Sequence, residues 1–435
     1  MSIWALYTEE QRNNYEEYLK MYSALSAMFN QKSSETGAPY LDSKFQENIY
    51  ARSFNSENVD IGNTPHDIKS TFSNNDNIGI GIKTWLSSKS SYQKVMQLKA
   101  YKNEIDAHID NNEELAFKIA EIKNSKLKLD YTRLGLNEDE NIYHYVTRDK
   151  GCLTLSETTY PLVDINNLKP GIKTNSSFTF SDGKKDYKYT FGDSQIWMKF
   201  GKDVKNTEEL KKLDINILKD PFQFLFNSFN TYQRDGGVLV PESELQRDYL
   251  YLPLYSYQGR KVQEHSGLNA WNGKPKTPGS TIPRPKGEAY IPIPQSLWKK
   301  YPKWVDSNVD MSNYNHYRQL TGRSSYPIKL HMPDGQVFNA LFGQSNFKAL
   351  ETNPQSILGN WILNALGINN PQREHYNEPA KNVVTMDTLK KAGYDSIKLW
   401  HKDPSNPKDV WVDFAEYGSF ERFMNDDLQE NTDDK

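Results

Sequence analysis

Ile78-Gly79-Ile80-Gly81-Ile82-Lys83-Thr84-Trp85 alternates bulky and minimal side chains between two polar stretches rich in turn formers. Such a run predicts a buried strand, and its two glycines let the backbone pass close to a neighbour. The acids Glu57, Asp60 and Asp67 precede it, and Gln93-Lys94 follows. Adjacent strands can bring Asp67 and Lys83 together despite the 15 residues between them. Carboxylates hold a hard divalent cation through oxygen, and a nearby lysine can position a water or stabilise developing charge. The same residues also have an ordinary reading, as a solvated loop acid and a lysine at a strand end.

Working outward, residues 1–33 and 44–56 read as helices. Tyr15, Leu19, Tyr22, Leu25 and Met28 recur at three- and four-residue steps, and Phe45, Ile49 and Phe54 share a face. Residues 92–122 also read as helix, with Gln93 at its start. From about 128 to 260 the texture changes to short alternating strands, including a hairpin that turns at Asp182-Gly183. Residues 265–288 are rich in Gly, Pro, Ser and Lys and read as a linker. Strands then alternate with helices at 354–366 and 385–392, the latter capped by Thr385 and stopped by Gly393. The tail, 421–435, is acidic.

The 435 residues exceed one ordinary core and predict two or three domains, a core being supported at 36% hydrophobic residues because aromatics reach 13%. A net charge of -3 gives no bulk attraction to nucleic acid, so any basic surface must be local. No run of about 18 apolar residues predicts a membrane span, and the N-terminus lacks the features of a secretory signal. The single cysteine, Cys152, excludes an internal disulfide and Cys-based zinc sites, and a cytoplasmic location is expected. No H-x-K, GxxxxGK[ST], GxSxG or HExxH pattern occurs. Local positive charge does occur between Lys274 and Lys303, where seven Lys or Arg face one acid, Glu288. Gln344, Asn346, Lys348 and Asn353 lie in a loop before a helix, and such side chains can read base edges.

Two resemblances follow. The Asp67…Gly81-Ile82-Lys83 order resembles the PD-(D/E)xK nuclease core, and the GxGxKT strand followed by Gln93-Lys94 resembles type II restriction endonucleases. This implies an α+β N-terminal domain, a mixed sheet flanked by helices, over 1–270 (1–125 helical and catalytic, 126–265 β-rich). Asp67, Lys83 and Gln93 would be catalytic, and Asp67 with Asp60 would hold Mg²⁺. Gly81 departs from the pattern, which has Asp or Glu there, so a second acid must come from elsewhere or Gln93 takes its place. The blocks Arg284–Pro294, Leu330–Gly335, Phe342–Leu350, Asn353–Trp361 and Thr385–Ile397 resemble the B3-like DNA-recognition domain, a β-rich pseudobarrel, here over 280–420. Its two arms would fall near Arg284, Lys286 and Glu288 and near Gln344, Asn346, Lys348 and Asn353. The resemblances imply a type II restriction endonuclease that binds double-stranded DNA, with a cognate DNA methyltransferase expected genetically. Double-strand cleavage needs two catalytic events and suggests a homodimer. The alternatives are a sequence-specific DNA-binding protein with an inactive nuclease domain, or a glycan- or protein-binding module built from the aromatic strands.

Overall fold

The computed structural model describes residues 2–29, 37–62, 64–73, 76–237, 249–368, 382–403 and 405–430, with 426–430 as backbone only. Residues 1–131 and 136–245 form one compact unit; 132–135 and 246–435 form a second. In the first, α1 (Glu9–Ala24) starts at a Thr8–Gln11 capping box, and α2 (Ser43–Phe54) starts at Asp42, whose carboxylate accepts from Phe45 N. β1 (Glu57–Asn58), β2 (Ile68–Thr71) and β3 (Asn77–Leu86) pair antiparallel in succession. The chain departs through β4 (Tyr92–Gln97), α3 (Lys102–Asp106) and α4 (Asn112–Leu134) and returns as β5 (Ile142–Asp149), parallel to β3. β6 (Cys152–Thr159) pairs with β5. Then β7 (Lys169–Lys173), β8 (Ser177–Ser181), β9 (Asp186–Thr190) and β10 (Gln195–Lys199) join β4 in a five-stranded sheet ordered β4-β10-β9-β8-β7. β11 (Thr207–Asp214) closes a six-stranded sheet, β1-β2-β3-β5-β6-β11, and α5 (Pro221–Arg234) follows.

The period of two in β3 sorts its side chains. Ile78, Ile80 and Ile82 enter one core with Tyr15 and Leu19 of α1 and Ile49, Tyr50 and Phe54 of α2. Each such isoleucine contributes ~1.5–3 kcal/mol on burial. Gly79, Gly81 and Lys83 share the other face. A Cβ on Gly79 would lie 2.5 Å from the His66 ring, and one on Gly81 would lie 2.4 Å from the Tyr143 ring. Tyr143 is the β5 partner of Gly81 in the parallel register, and it stacks on Tyr160 at 3.9 Å. The glycines therefore admit two rings that the sheet could not otherwise hold. Behind them Lys123 of α4 is fully buried, 5.3 and 5.6 Å from the rings of Tyr160 and Tyr187. Its ammonium has no hydrogen-bond acceptor among the described residues.

In the second unit, β12 (Tyr249–Pro253) is followed by the short β13 (Ile291–Pro292), α6 (Gln295–Lys300) and α7 (Tyr314–Thr321). β14 (Tyr326–His331), β15 (Val337–Gly343) and β16 (Ala349–Thr352) form a meander, then come α8 (Ser356–Ala365) and α9 (Met386–Ala392). β17 (Tyr394–Trp400), β18 (Asp409–Glu416) and α10 (Ser419–Glu430) complete it. The sheet order is β12-β17-β18-β14-β15-β16-β13. Its two end strands approach each other, so the sheet is nearly a closed barrel. Thr385 caps α9 and Gly393, at φ 91°, ends it, as the sequence predicts.

Four expectations need correction. Residues 92–97 are a strand, because Tyr92–Gln97 pairs with β10 about a hundred residues away, beyond the reach of local periodicity. The stretch from about 128 to 260 is not short strands throughout: Asp220 caps the helix α5, with Pro221 in its first turn. Residues 265–288 are not a free linker, since Leu268, Ala270 and Trp271 are buried and Trp271 N donates to Glu288 O at 2.7 Å. β12 pairs with β17, so the second unit begins before 249 rather than near 280. The tail residues 421–430 continue α10, and 431–435 lie outside the described residues.

Two stability predictions follow from the crowded face. Gly81→Asp should destabilise by about 3 kcal/mol or more, read as a lower urea midpoint, because the carboxyl enters space filled by Tyr143. Burial pushes the Lys123 pKa down to about 7, against the opposing field of Asp182. An unfolded lysine keeps its proton to about pH 10. The penalty on the folded state is thus complete below pH 7 and fades as pH rises towards 10. Lys123→Met should stabilise the protein by ~1–3 kcal/mol at pH 7, with the gain shrinking up to pH 10 in the same titration.

Candidate functional site

The loop Pro65-His66-Asp67 is fixed from three sides. Tyr160 Oη donates to Pro65 O at 3.2 Å, and His66 Nδ1 lies 2.7 Å from Asp130 Oδ2 of α4, with both side chains buried. Asp67 N donates to Ile80 O at 3.0 Å, and Asp67 O accepts from Val59 N at 3.0 Å. The Asp67 carboxylate is thereby set against β3. Its Oδ2 accepts from Ile82 N at 2.6 Å and lies 3.3 Å from Lys83 Nζ. Lys83 also donates to Ile82 O at 2.8 Å and stands 5.8 Å from the centre of the Tyr143 ring. The Asp67 and Lys83 side chains are 14% and 25% exposed, so both are held by protein yet reachable from solvent.

Sequence reading missed a third group. Glu47 of α2 is buried, and its Oε2 accepts from Lys44 Nζ at 2.7 Å; Lys44 also reaches Asp60 Oδ2 at 2.6 Å. Burial first, then the fields of Asp67 and Asp60, push the Glu47 pKa above the ordinary carboxylate range, although Lys44 pulls it down. Burial opposes the charge of Lys44, but Asp60 and Glu47 more than compensate and hold its pKa up. Glu47, Asp60 and Asp67 thus form one field with Lys44 and Lys83. A carboxylate on the helix before β1 is the only signal that could have pointed to Glu47, and many surface helices carry one.

Among the described residues no three carboxylate, imidazole or thiolate groups converge as a ready metal cage. Mg²⁺ does not require one, because it keeps several waters and uses one or two carboxylates with substrate phosphate. Asp67 and Glu47 fit that need. Both offer oxygen, and the charge of Asp67 is felt at Glu47. Asp60, like Glu47, is engaged with Lys44, and it also accepts from Gly62 N. Gln93 is on strand β4 rather than a helix, and its amide donates to Ser90 O at 2.8 Å.

In the second unit the pairing of β13 with β16 sets the two predicted arms side by side. The first arm runs into β13 and exposes Lys274, Lys276 and Lys286. Glu288 is not at its surface: it is buried and accepts from Arg284 Nη1 at 2.9 Å, with Lys276 Nζ at 3.1 Å. It fixes two cations in place instead of standing out to meet a base. Gly287 lies where α8 passes, its carbonyl so close to Gly359 that no Cβ fits there, and Lys276 reaches Gln355 at 3.1 Å. The second arm is the turn from β15 to β16. Gln344, Asn346 and Phe347 have positive φ there; Gln344, Asn346 and Lys348 are exposed, and so is Asn353 beyond β16. Gln344 Nε2 donates to Glu351 Oε1 at 2.8 Å. Phe347 anchors the turn, with its carbonyl accepting from Trp298 Nε1 at 2.9 Å and its ring meeting Tyr314 and Tyr317 edge-on. Tyr314 and Tyr317 are thus buried on α7, while His316 and Arg318 remain exposed.

A search of curated proteins finds no match for the chain. Among the described residues no helix is long and apolar enough to cross a membrane. Residues 251–401 match the family described as the NgoFVII C-terminal B3-like DNA-binding domain, a restriction-enzyme family, so the barrel-like second unit is B3-like.

Proposed function

We propose that the chain is a type II restriction endonuclease. In this reading the second unit recognises a sequence in double-stranded DNA, and the first hydrolyses the phosphodiester. The observation that carries the hydrolase half is the meeting of Asp67 with Lys83 beside the buried Glu47. The order α2, three antiparallel strands, an excursion through β4, α3 and α4, then β5 parallel to β3 is compatible with the PD-(D/E)xK layout. The DNA-binding half is supported by the family match and by the exposed cations and amides of the two arms.

Asp67 and Glu47 would hold Mg²⁺, which when bound polarises the phosphate and lowers the pKa of a water. Lys83, fixed by Asp67 and Ile82 O, would orient the attacking water and stabilise charge on the phosphate oxygens. Lys44 would keep Glu47 and Asp60 from repelling the DNA backbone before the ion arrives. Attack in line forms a new P–O bond as the bond to the 3′ oxygen breaks, leaving a 5′ phosphate. A cytoplasmic location and a cognate methyltransferase belong to the same reading. The second reading, a DNA-binding protein without cleavage, is favoured by Gly81, where Tyr143 leaves no room for an acid.

Genomic DNA digested with Mg²⁺ and sequenced at its ends tests the proposal. Wild type should give ends with one shared flanking sequence. Asp67→Asn, Glu47→Gln and Lys83→Ala should each lose roughly 100-fold or more in rate while binding the same sites. An inert wild type that binds its site tightly would establish the second reading instead. Because Glu47 protonates above the usual carboxylate range, cleavage by wild type should decline on acidification earlier than an ordinary carboxylate would dictate. In a binding titration over a salt series, Lys286→Ala should lower the slope of log affinity by about 1, and Gln344→Ala should relax the sequence preference.

A further inference from the structure

The helix α5 exposes side chains that a lone helix in water does not keep. Every side chain from Phe222 to Asp235 is exposed. Phe222, Phe224, Leu225, Phe226 and Phe229 are 62, 47, 37, 63 and 48% exposed. Phe222, Leu225, Phe226 and Phe229 follow the steps that line one face of a helix. Short helices draw their stability from a covered apolar face rather than from propensity, and this one has 14 residues. The chain just before it is anchored by Leu218 N to Ala24 O at 2.8 Å, and Asp220 caps it, so the helix is held at its base with its apolar side open.

We propose that α5 docks against α5 of a second copy of this chain, the two helices running antiparallel across a twofold axis. The apolar area suits that occupant: Phe222, Leu225, Phe226 and Phe229, the four residues on the face, expose roughly 400 Å² per chain, at about 200 Å² for each large side chain. A stable interface needs about 800 Å² per partner, and the flanking Gln223, Asn227, Asn230 and Gln233 can form the polar rim. The charge suits it too. Arg234 is the only ionised side chain from Pro221 to Arg234, so two antiparallel copies meet without like-charge repulsion along the apolar face. Self-complementarity is what a twofold contact requires. A third argument rests on the hydrolase reading: one Asp67–Lys83 pair per chain cuts one strand at a time, and a twofold pair of chains presents two.

Sedimentation of the full chain without DNA tests this separately from catalysis. At ten micromolar, wild type should run at twice the 50.4 kDa chain mass, and Phe226→Glu/Phe229→Glu at the chain mass, with unchanged circular dichroism. If that variant misfolds, Phe226→Ser/Phe229→Ser takes its place and should raise the dimer dissociation constant at least 100-fold. A monomeric wild type, a folded variant that still dimerises, or a monomer that binds phosphatidylcholine vesicles through α5 would each overturn the proposal. A dimer that never cuts DNA would leave α5 as its interface and sink the hydrolase reading alone.

Discussion

No atom larger than hydrogen fits on β3 at position 81, because the ring of Tyr143 occupies the space beside it. That single contact orders much of the first unit. Tyr143 stacks on Tyr160, and the hydroxyl of Tyr160 ties down Pro65, two residues from Asp67. Gly79 makes room for His66, which Asp130 holds from α4. The loop bearing Asp67 is therefore set by rings packed under β3, and the acid meets Lys83 without any acid on the strand itself. A buried carboxylate on α2 shares the same field, so the charge pattern is distributed over helix and sheet rather than along one strand.

The second unit uses a buried charge in a similar way. Glu288 lies among seven nearby cations in the sequence, and surface reading assigns it to the interface. Its burial instead turns Arg284 and Lys276 into a fixed pair, sparing them the entropy of ordering later. The opposite arm is stiffened by apolar means, with Phe347 seated among Trp298, Tyr314 and Tyr317. A turn with positive φ at Gln344, Asn346 and Phe347 is a sound base for amides that must hold one orientation.

What could be read in advance was local. The alternation of Ile78 to Trp85, the Thr385 cap with Gly393, and the Asp182-Gly183 turn each carry their signal within a few residues. The approach of Asp67 to Lys83 needed only the assumption of neighbouring strands. What could not be read depends on distant partners. β4 has helical spacing but a strand partner at 195–199. Glu47 gains meaning only when α2 lies beside β2 and β3. The Gly- and Pro-rich stretch 265–288 looks solvated, yet Trp271 and Glu288 bury themselves through a backbone hydrogen bond across it. α5 was overlooked because aromatic residues in close succession suit strands as well as helices.

The route of the chain through the first unit bears on its birth as well as its shape. It moves from one sheet to the other at β4, returns at β5, crosses again at β7 and comes back at β11. β4 waits for β10, and β6 waits for β11, whose Leu213 fills the same core as Ile80. Pairings of such long sequence separation close slowly and late. A ribosome that stalls before residue 207 releases a chain with an open sheet edge and without Leu213 in the core, exposed to proteolysis.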